Sequence, residues 1–217
     1  MKKYFNIIVV TLLLAATACG CKKSDSAQPK NYAVSIKDKT WSGIFTYTGK
    51  TSEYYSIHFN ADNSFIWTEL SGDYSGQWVV NGKQLVLKFG GSGATVKGDI
   101  TDDDRLLTIT ASSSAYIVNS GKLVVNPNPL LDNTVWKGIL TSGASHFLQL
   151  SFMTGLKVAI QIDNVMQGQF PYKRSASGGA IQVGTGGIGP FFGVITAENE
   201  MMGSSAIVAT PWQATKQ

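Results

Sequence analysis

From residue 40 onward, the chain alternates between short apolar runs and polar turn signals that recur every 8 to 14 residues. The runs are rich in Val, Ile, Thr and aromatic residues, which is typical of β-strands. After residue 30, no window has the sustained apolar spacing of an amphipathic helix. The pattern predicts an all-β fold. The first half contains seven such runs: Trp41–Tyr47, Tyr54–Phe59, Ser64–Leu70, Gly76–Val80, Gln84–Phe89, Thr95–Ile100 and Leu106–Thr110.

The turn signals between these runs indicate hairpins. Asn81-Gly82 is the strongest, because both residues tolerate the positive φ that a type I′ turn requires. It separates the runs Gly76–Val80 and Gln84–Phe89. Consecutive runs are therefore expected to pair as antiparallel neighbours.

The strand pattern occurs twice along the chain. Four motifs recur in the same order at offsets of 95, 93, 92 and 95 residues. We therefore expect two copies of one strand meander, repeat 1 over residues 38–112 and repeat 2 over residues 132–214. The segment 113–131 joins them, with Asn119–Gly121 as a hairpin and Asn126–Pro129 as a stiff breaker. The matched segments are Asp38–Ile44 with Asn133–Ile139, Ile57–Phe59 with Leu150–Phe152, Gly76–Trp78 with Gly168–Phe170, and Gly98–Thr101 with Gly193–Thr196.

The N-terminal residues follow a different pattern. A short basic start, Met1-Lys2-Lys3, precedes the apolar stretch Ile7–Ala18, in which only two threonines are polar. Twelve residues are too few to span a bilayer, which needs about 20. The stretch fits a secretory signal sequence. The stretch ends in the small residues Ala15–Ala18 and is followed by Cys19 and Cys21, the only cysteines of the chain.

The segment Thr17-Ala18-Cys19 resembles the lipobox of bacterial lipoproteins, in which the cysteine becomes the mature N-terminus and carries acyl chains. The resemblance implies a signal peptide over residues 1–18 and a lipid anchor at Cys19, with Cys21 as the alternative. Residues 19–37 then form the lipid anchor and a flexible tether. A protein of this kind is attached to the membrane through its N-terminal lipid, in the cell envelope. We expect the outer membrane, on either its periplasmic or its surface face.

Repeat 1 also carries motifs that resemble the short lipocalin-like domain found in lipoproteins of Bacteroidota. Repeat 2 keeps the Trp-x-Gly opening but has Met153–Gly155 where repeat 1 has its Ala-Asp-Asn turn. The resemblance implies two tandem antiparallel meander β-barrels. The motifs of repeat 1 are Thr40-Trp41-x-Gly43, Ile57-x-Phe59, Gly76-Gln77-Trp78 and Leu85-x-Leu87.

Strand alternation places many large aromatic side chains on the inner face of repeat 1, among them Trp41, Phe45 and Tyr47. A barrel of seven or eight strands has an interior that side chains just fill, or that holds one small ligand. The sequence is therefore compatible with either a packed core or a ligand pocket inside the barrel. If a pocket exists, we expect aromatic residues at its mouth: Tyr54, Tyr55, Trp67 and Trp78 in repeat 1, and Phe147, Phe170 and Tyr172 in repeat 2.

Charge and catalytic motifs add little to this picture. The net charge is +4 with no basic run, so nucleic acid is not an expected partner. The two histidines, His58 and His146, have no metal-ligand spacing. The glycine-rich segment Gly184–Gly189 joins two predicted strands and does not open a helix, as a dinucleotide site requires. Asp102–Asp104 fits an ordinary acidic turn. We therefore expect no catalytic residue, no metal and no cofactor.

Two functions fit these expectations. The first is a lipid-anchored, non-enzymatic envelope protein that binds a small apolar ligand in a barrel. The alternative is a structural or accessory envelope protein that binds a partner protein or a glycan through exposed strands and loops. A ligand-binding barrel should contain an apolar cavity, whereas an accessory protein should have filled barrels and an exposed apolar patch.

Overall fold

The computed structural model describes residues 30–50, 52–112, 116–184, 190–205 and 210–217. They contain two closed, eight-stranded antiparallel β-barrels in tandem, which confirms the predicted all-β fold. The expected signal peptide and both cysteines lie outside the described residues, as do residues 185–189 of the glycine-rich segment. Among the described residues, no helix has the length and apolar character needed to cross a bilayer.

Barrel 1 is a simple meander in which each strand pairs with the next and the eighth closes against the first. Its buried apolar side chains alternate along the strands and point inward, as a half-buried barrel wall requires. The strands are β1 (Lys39–Tyr47), β2 (Ser52–Phe59), β3 (Ser64–Glu69), β4 (Gly72–Asn81), β5 (Gln84–Phe89), β6 (Thr95–Ile100), β7 (Leu106–Ala111) and β8 (Tyr116–Leu123).

Barrel 2 repeats the same topology and closes through the pairing of its last strand with its first. Its core is separate from that of barrel 1. The strands are β9 (Val135–Ser142), β10 (Ala144–Met153), β11 (Lys157–Ile162), β12 (Val165–Arg174), β13 (Ala180–Val183), β14 (Phe191–Ala197), β15 (Glu200–Ser205) and β16 (Thr210–Lys216).

The two barrels share one pairing register, which confirms the internal repeat. Trp41 lies opposite Ile57 in barrel 1, and Trp136 lies opposite Leu150 in barrel 2. Each of the four matched motifs occupies strands that are eight apart in the chain. Each copy of the repeat therefore forms its own closed barrel, and the two copies do not share one sheet.

The expected connecting segment 113–131 contributes a strand to barrel 1. The hairpin predicted at Asn119–Gly121 is wrong, because these residues lie within β8. This strand pairs with β1 and closes the barrel. Barrel 1 therefore extends to Leu123, beyond the expected end of repeat 1 at residue 112.

The turn-like residues of β8 have two other roles. Asn119 and Ser120 together lie opposite the single residue Ile44, so the strand bulges at this point. A Cβ atom on Gly121 would lie 3.0 Å from the Tyr55 hydroxyl. The glycine is therefore needed for packing inside the barrel and not for a turn.

A short helix, α1 (Tyr32–Ile36), precedes the first strand. Ile36 is fully buried in the core of barrel 1, and the Tyr32 hydroxyl donates to Asp102 in the β6–β7 turn at 2.7 Å. The tether expected over residues 19–37 is therefore wrong for its last residues, because burial of Ile36 holds them against the barrel. Helix α1 covers one end of barrel 1.

The outer faces of the two barrels pack against each other. Phe192 and Val194 on β14 are fully buried and contact Tyr54 and Leu70 of barrel 1. Ala180 on β13 completes this apolar cluster. The contact uses side chains that point away from both barrel interiors.

Polar contacts and one glycine complete the contact between the barrels. The Thr40 hydroxyl donates to the Ser177 carbonyl at 3.3 Å, and the Gln182 amide donates to the Glu69 carbonyl at 3.4 Å. A Cβ atom on Gly179 would lie 2.6 Å from the Thr40 methyl group. The two outer walls therefore approach too closely for a side chain at that point.

Candidate ligand cavity

The two ends of barrel 1 differ. One end is covered by α1, while the other holds a cavity of about 770 Å³. The walls of this barrel 1 cavity come from the ends of β1, β3 and β5, the starts of β4 and β8, and the β5–β6 loop. Pockets for small organic molecules have volumes of about 300–1,000 Å³. The cavity therefore has room for one ligand of ordinary size.

The floor of the cavity is a stack of aromatic rings. Tyr55 lies below Trp67 with the ring centroids 3.8 Å apart and an angle of 8° between the planes. Phe45 meets Trp67 edge to face at 5.7 Å. Gly43 makes this arrangement possible, since a Cβ atom there would lie 2.6 Å from the Tyr55 ring. The lower half of the barrel is therefore filled, and the cavity begins above Trp67.

The wall of the cavity is also aromatic. Phe89 lies 5.6 Å from Trp67 and 6.1 Å from Tyr116, both edge to face. Tyr47 lies 6.5 Å from Tyr116 and completes the chain of rings. Tyr74 stands at the rim and is 44% exposed. Edge-to-face contacts are a preferred arrangement of aromatic pairs, so the rings of the wall stabilise one another.

One buried carboxylate lies in this aromatic wall. Glu69 is only 3% exposed and accepts three hydrogen bonds. The donors are the Tyr47 hydroxyl at 2.6 Å, the Trp67 indole at 2.9 Å and the Ser71 hydroxyl at 2.5 Å. The Ser71 hydroxyl in turn lies 3.1 Å from that of Tyr74. Glu69 therefore orients three side chains of the wall and, through Ser71, connects to the rim.

The negative charge of Glu69 affects its neighbours. Burial raises the pKa of Tyr47 well above its ordinary value, and the hydrogen bond and charge of Glu69 raise it further. Burial and then the same charge raise the pKa of Glu53, while Lys50 opposes the shift. Tyr47 therefore stays protonated and donates its hydrogen bond throughout the neutral pH range.

The structure separates the seven aromatic residues predicted at a pocket mouth. Only Trp67 lines the barrel 1 cavity, and Tyr55 lies directly beneath it. The other five lie elsewhere: Tyr54 at the contact between the barrels, Trp78 in the core near the end that α1 covers, Phe147 exposed on the outside of barrel 2, and Phe170 and Tyr172 at the core of barrel 2.

Most of the cavity lining was missed by sequence reasoning. Strand alternation from Trp67 places Glu69 on the same inner face, and alternation from Phe45 does the same for Tyr47. Alternation within the predicted run Ser64–Leu70 is therefore the signal that could have identified Glu69. Phe45 and Tyr47, which were expected on the inner face of repeat 1, do line the cavity. The lining residues with large or charged side chains that were not predicted are Glu69, Asp73, Tyr74, Phe89 and Tyr116.

A second cavity lies between the barrels. It has a volume of about 450 Å³, and its lining includes Leu70 and Ser71 from barrel 1 and Pro171, Tyr172 and Phe191 from barrel 2. The Tyr172 hydroxyl is directed to Asp132 at 3.4 Å. Among the residues that the structure describes, the lining of this second cavity contains no carboxylate, and the cavity is smaller than the barrel 1 cavity.

The other candidate chemical groups have structural partners. Asp102 forms an ion pair with Lys83 at 2.7 Å, and His146 pairs with Asp163 at 2.7 Å on the surface. His58 lies 3.0 Å from the Thr40 hydroxyl. Within the described ranges, no group of three or more His, Cys, Asp or Glu side chains is arranged to hold a metal ion.

Comparison with known proteins adds no assignment. No known protein family matches the sequence, and no curated protein or solved structure is significantly similar to it.

Proposed function

We propose that the protein is a lipid-anchored envelope protein whose first barrel binds a small organic ligand. The barrel 1 cavity carries this proposal, because it combines a volume of about 770 Å³ with six aromatic side chains in its lining. The anchor rests on the Thr17-Ala18-Cys19 pattern at the end of the N-terminal apolar stretch. In this account, the lipid holds the barrels at the membrane and the open end of barrel 1 receives the ligand.

The lining favours a ligand with a flat or apolar surface. A ligand that enters the cavity would contact the Trp67 ring below and the Phe89 and Tyr116 rings at the side. Aromatic contacts of this kind contribute about 0.5–1.5 kcal/mol each beyond the burial of area. Because the rings are already fixed against one another, little ordering is needed when a ligand binds.

Binding of an uncharged hydrophobic dye tests the proposal. We expect N-phenyl-1-naphthylamine to bind the full chain in nanodiscs saturably, with empty nanodiscs as the blank. Tyr116→Ala should lower the affinity for the dye by about fivefold, because one aromatic contact is lost. Ile117→Ala is the matched control, because its side chain is the next one in β8 and is 61% exposed on the outer wall. Equal affinities for the two variants would contradict binding inside barrel 1.

A second candidate function is partner binding by barrel 2. Ile139 and Phe147 lie opposite each other on β9 and β10 and are both exposed, and Val165 and Met166 are exposed at the start of β12. Exposed apolar side chains that lie beside each other, as Ile139 and Phe147 do, favour an interaction site. Cross-linking of the full chain in its native membrane, compared with an Ile139→Ser/Phe147→Ser variant, tests this candidate. Cross-links that persist in the variant would exclude this surface.

A further inference from the structure

A buried carboxylate is unexpected in a pocket for a purely apolar ligand. Moving a charged group from water into an apolar site is costly unless the charge finds a partner. Glu69 has three neutral hydrogen-bond donors but forms no ion pair within the described part of the chain. We infer that the barrel 1 cavity selects an organic cation, an alkylammonium or arylammonium group that lies beside Glu69 and against the aromatic wall. This inference rests on the proposed function and names the class of its ligand.

The charge balance of the cavity supports a cationic ligand. Glu69 is the acidic side chain on the inner face here, and among the described residues the lining contains no Lys, Arg or His. Asp73 also belongs to the lining, but it pairs with Thr68, whose side chain alternates with Trp67 and Glu69 and so lies on the outer face. The Asp73 carboxylate accepts from the Thr68 hydroxyl at 2.7 Å. A carboxylate has about four acceptor sites, and the three donors to Glu69 leave one of them available to a ligand. A cation in this partly enclosed site would be attracted more strongly than in open solvent.

The surrounding rings provide the second part of the recognition. A cation is attracted to the face of an aromatic ring within about 6 Å, and Trp is the best partner, followed by Tyr and Phe. Besides Trp67, the cavity lining contains five aromatic side chains, so it resembles the aromatic cages that hold quaternary ammonium groups. Lys50 already makes a cation–π contact of this kind, with its amino group 5.9 Å from the centroid of the Tyr47 ring. Lys50 is exposed and is not part of the cavity lining.

The first test compares two ligands of equal shape and different charge. Choline and 3,3-dimethyl-1-butanol differ in one central atom, which is a charged nitrogen in the first and a carbon in the second. Each is used to displace N-phenyl-1-naphthylamine from the full chain in phosphatidylglycerol nanodiscs, whose lipid headgroups carry no ammonium. We expect choline to displace the dye at a concentration at least about tenfold lower than the alcohol. Equal potency, or a stronger effect of the alcohol, would overturn the inference.

Two variants assign the selectivity to named groups. Glu69→Gln keeps the size of the side chain and removes its charge, so it should remove most of the preference for choline while the dye still binds. Tyr74→Leu keeps an apolar side chain at the exposed rim but removes one aromatic ring. It should weaken the binding of choline about threefold and leave the binding of the alcohol unchanged. If Glu69→Gln does not fold, the comparison of the two ligands on the wild type and on Tyr74→Leu still decides the question. If both variants keep the wild-type preference for choline over the alcohol, the assignment of the selectivity to Glu69 and Tyr74 is overturned.

The same experiment separates this inference from the proposed function. Failure of the uncharged dye to bind would contradict a ligand cavity altogether. Binding of the dye without preference for choline would contradict only the cationic ligand. Monomeric dihexanoylphosphatidylcholine then distinguishes the source of the ammonium group. Displacement at a lower concentration than choline indicates a lipid headgroup, and displacement at a higher one indicates a free ammonium compound.

Discussion

The two barrels have the same topology and register but different residues at equivalent positions. In barrel 1, Tyr55 lies opposite Glu69, whereas the equivalent pair in barrel 2 is Leu148 and Ile162. Trp67 likewise corresponds to Ile160, since these residues lie opposite Ile57 and Leu150. Barrel 2 therefore has aliphatic side chains where barrel 1 has a stacked aromatic floor and a buried carboxylate. The fold needs only apolar residues at these positions, so the polar and aromatic choice in barrel 1 points to function.

The opposite ends of the two barrels are alike. Ile36 and Leu131 both precede the first strand of their barrel and are both fully buried. They are separated by 95 residues, the same offset as the opening Trp-x-Gly motifs. Closure of this end is therefore a shared structural requirement, and the difference between the barrels lies at the other end.

Truncation at the closed ends should have the largest effect. Ile36→Ala and Leu131→Ala should each lower the free energy of unfolding by about 3–4 kcal/mol, because each leaves a cavity in a packed core. The neighbouring variants Val34→Ala and Leu130→Ala remove exposed side chains and should change it by less than about 0.5 kcal/mol. Urea unfolding measures all four. A small effect at Ile36 alone would mean that the two closed ends are not equivalent.

Inner-face glycines should come next. A Cβ atom on Gly76 would clash with the Lys88 carbonyl oxygen and lie 2.6 Å from the Phe65 ring, and one on Gly193 would lie 2.6 Å from the Trp212 ring. Gly76→Ala and Gly193→Ala should each cost about 2–3 kcal/mol through overpacking. The control is Gly91→Ala, which has open space around the new methyl group. Thermal unfolding that is unchanged by Gly76→Ala would contradict the filled lower half of barrel 1.

Exchange of the distinguishing carboxylate should have a moderate effect. Glu69→Ile introduces the residue that barrel 2 has at this register and leaves the Tyr47 hydroxyl and the Trp67 indole without their acceptor. We expect a loss of about 1–3 kcal/mol by urea unfolding. Ile162→Val, at the equivalent position of barrel 2, should cost about 0.5–1.5 kcal/mol. A Glu69→Ile variant that is more stable than the wild type would show that the carboxylate has no structural role in the wall.

The smallest effect should come from the pH dependence of Glu53. Burial raises the pKa of this carboxyl above its ordinary value of 4.5, with a further contribution from the charge of Glu69. The folded state therefore favours protonated Glu53, and this stabilisation is present below pH 4.5 and is lost as the pH rises through the folded-state pKa. Glu53→Gln should raise the free energy of unfolding at pH 7 by less than about 1 kcal/mol, seen as a slightly higher melting temperature. At pH 4 the variant should not differ from the wild type. A larger gain at pH 4 than at pH 7 would reverse the sign.

The architecture follows from local sequence signals. Alternating residues and turn dipeptides such as Asn81-Gly82 act over a few residues, so they predict strands and hairpins directly. Asn119–Gly121 has the same composition as a turn but lies within β8, because its pairing with the distant strand β1 decides its conformation. A long-range contact of this kind produces no signal in the local sequence. The strand β8 was missed for that reason.

The cavity was harder to predict than the fold. Tyr54 and Tyr55 are adjacent in β2, so they point to opposite faces and cannot both line one pocket. Trp78 lies four residues from Tyr74 along β4, about 13 Å at 3.3 Å per residue, which places it near the other end of the barrel. Both facts follow from strand geometry once the strands are known. Alternation from Trp67 also places Glu69 on the inner face, but its hydrogen bond to Tyr47 depends on how the strands pair around the barrel.

The most direct test of the ligand-binding barrel is a crystal structure of the protein purified from its native host membrane. We predict electron density for a small molecule in the barrel 1 cavity, in contact with Trp67 and Phe89 and beside the Glu69 carboxylate. The equivalent end of barrel 2, around Ile160 and Ile162, should hold no such molecule. A barrel 1 in which Tyr74 and Tyr116 close over Trp67 and leave no space above it would contradict the account.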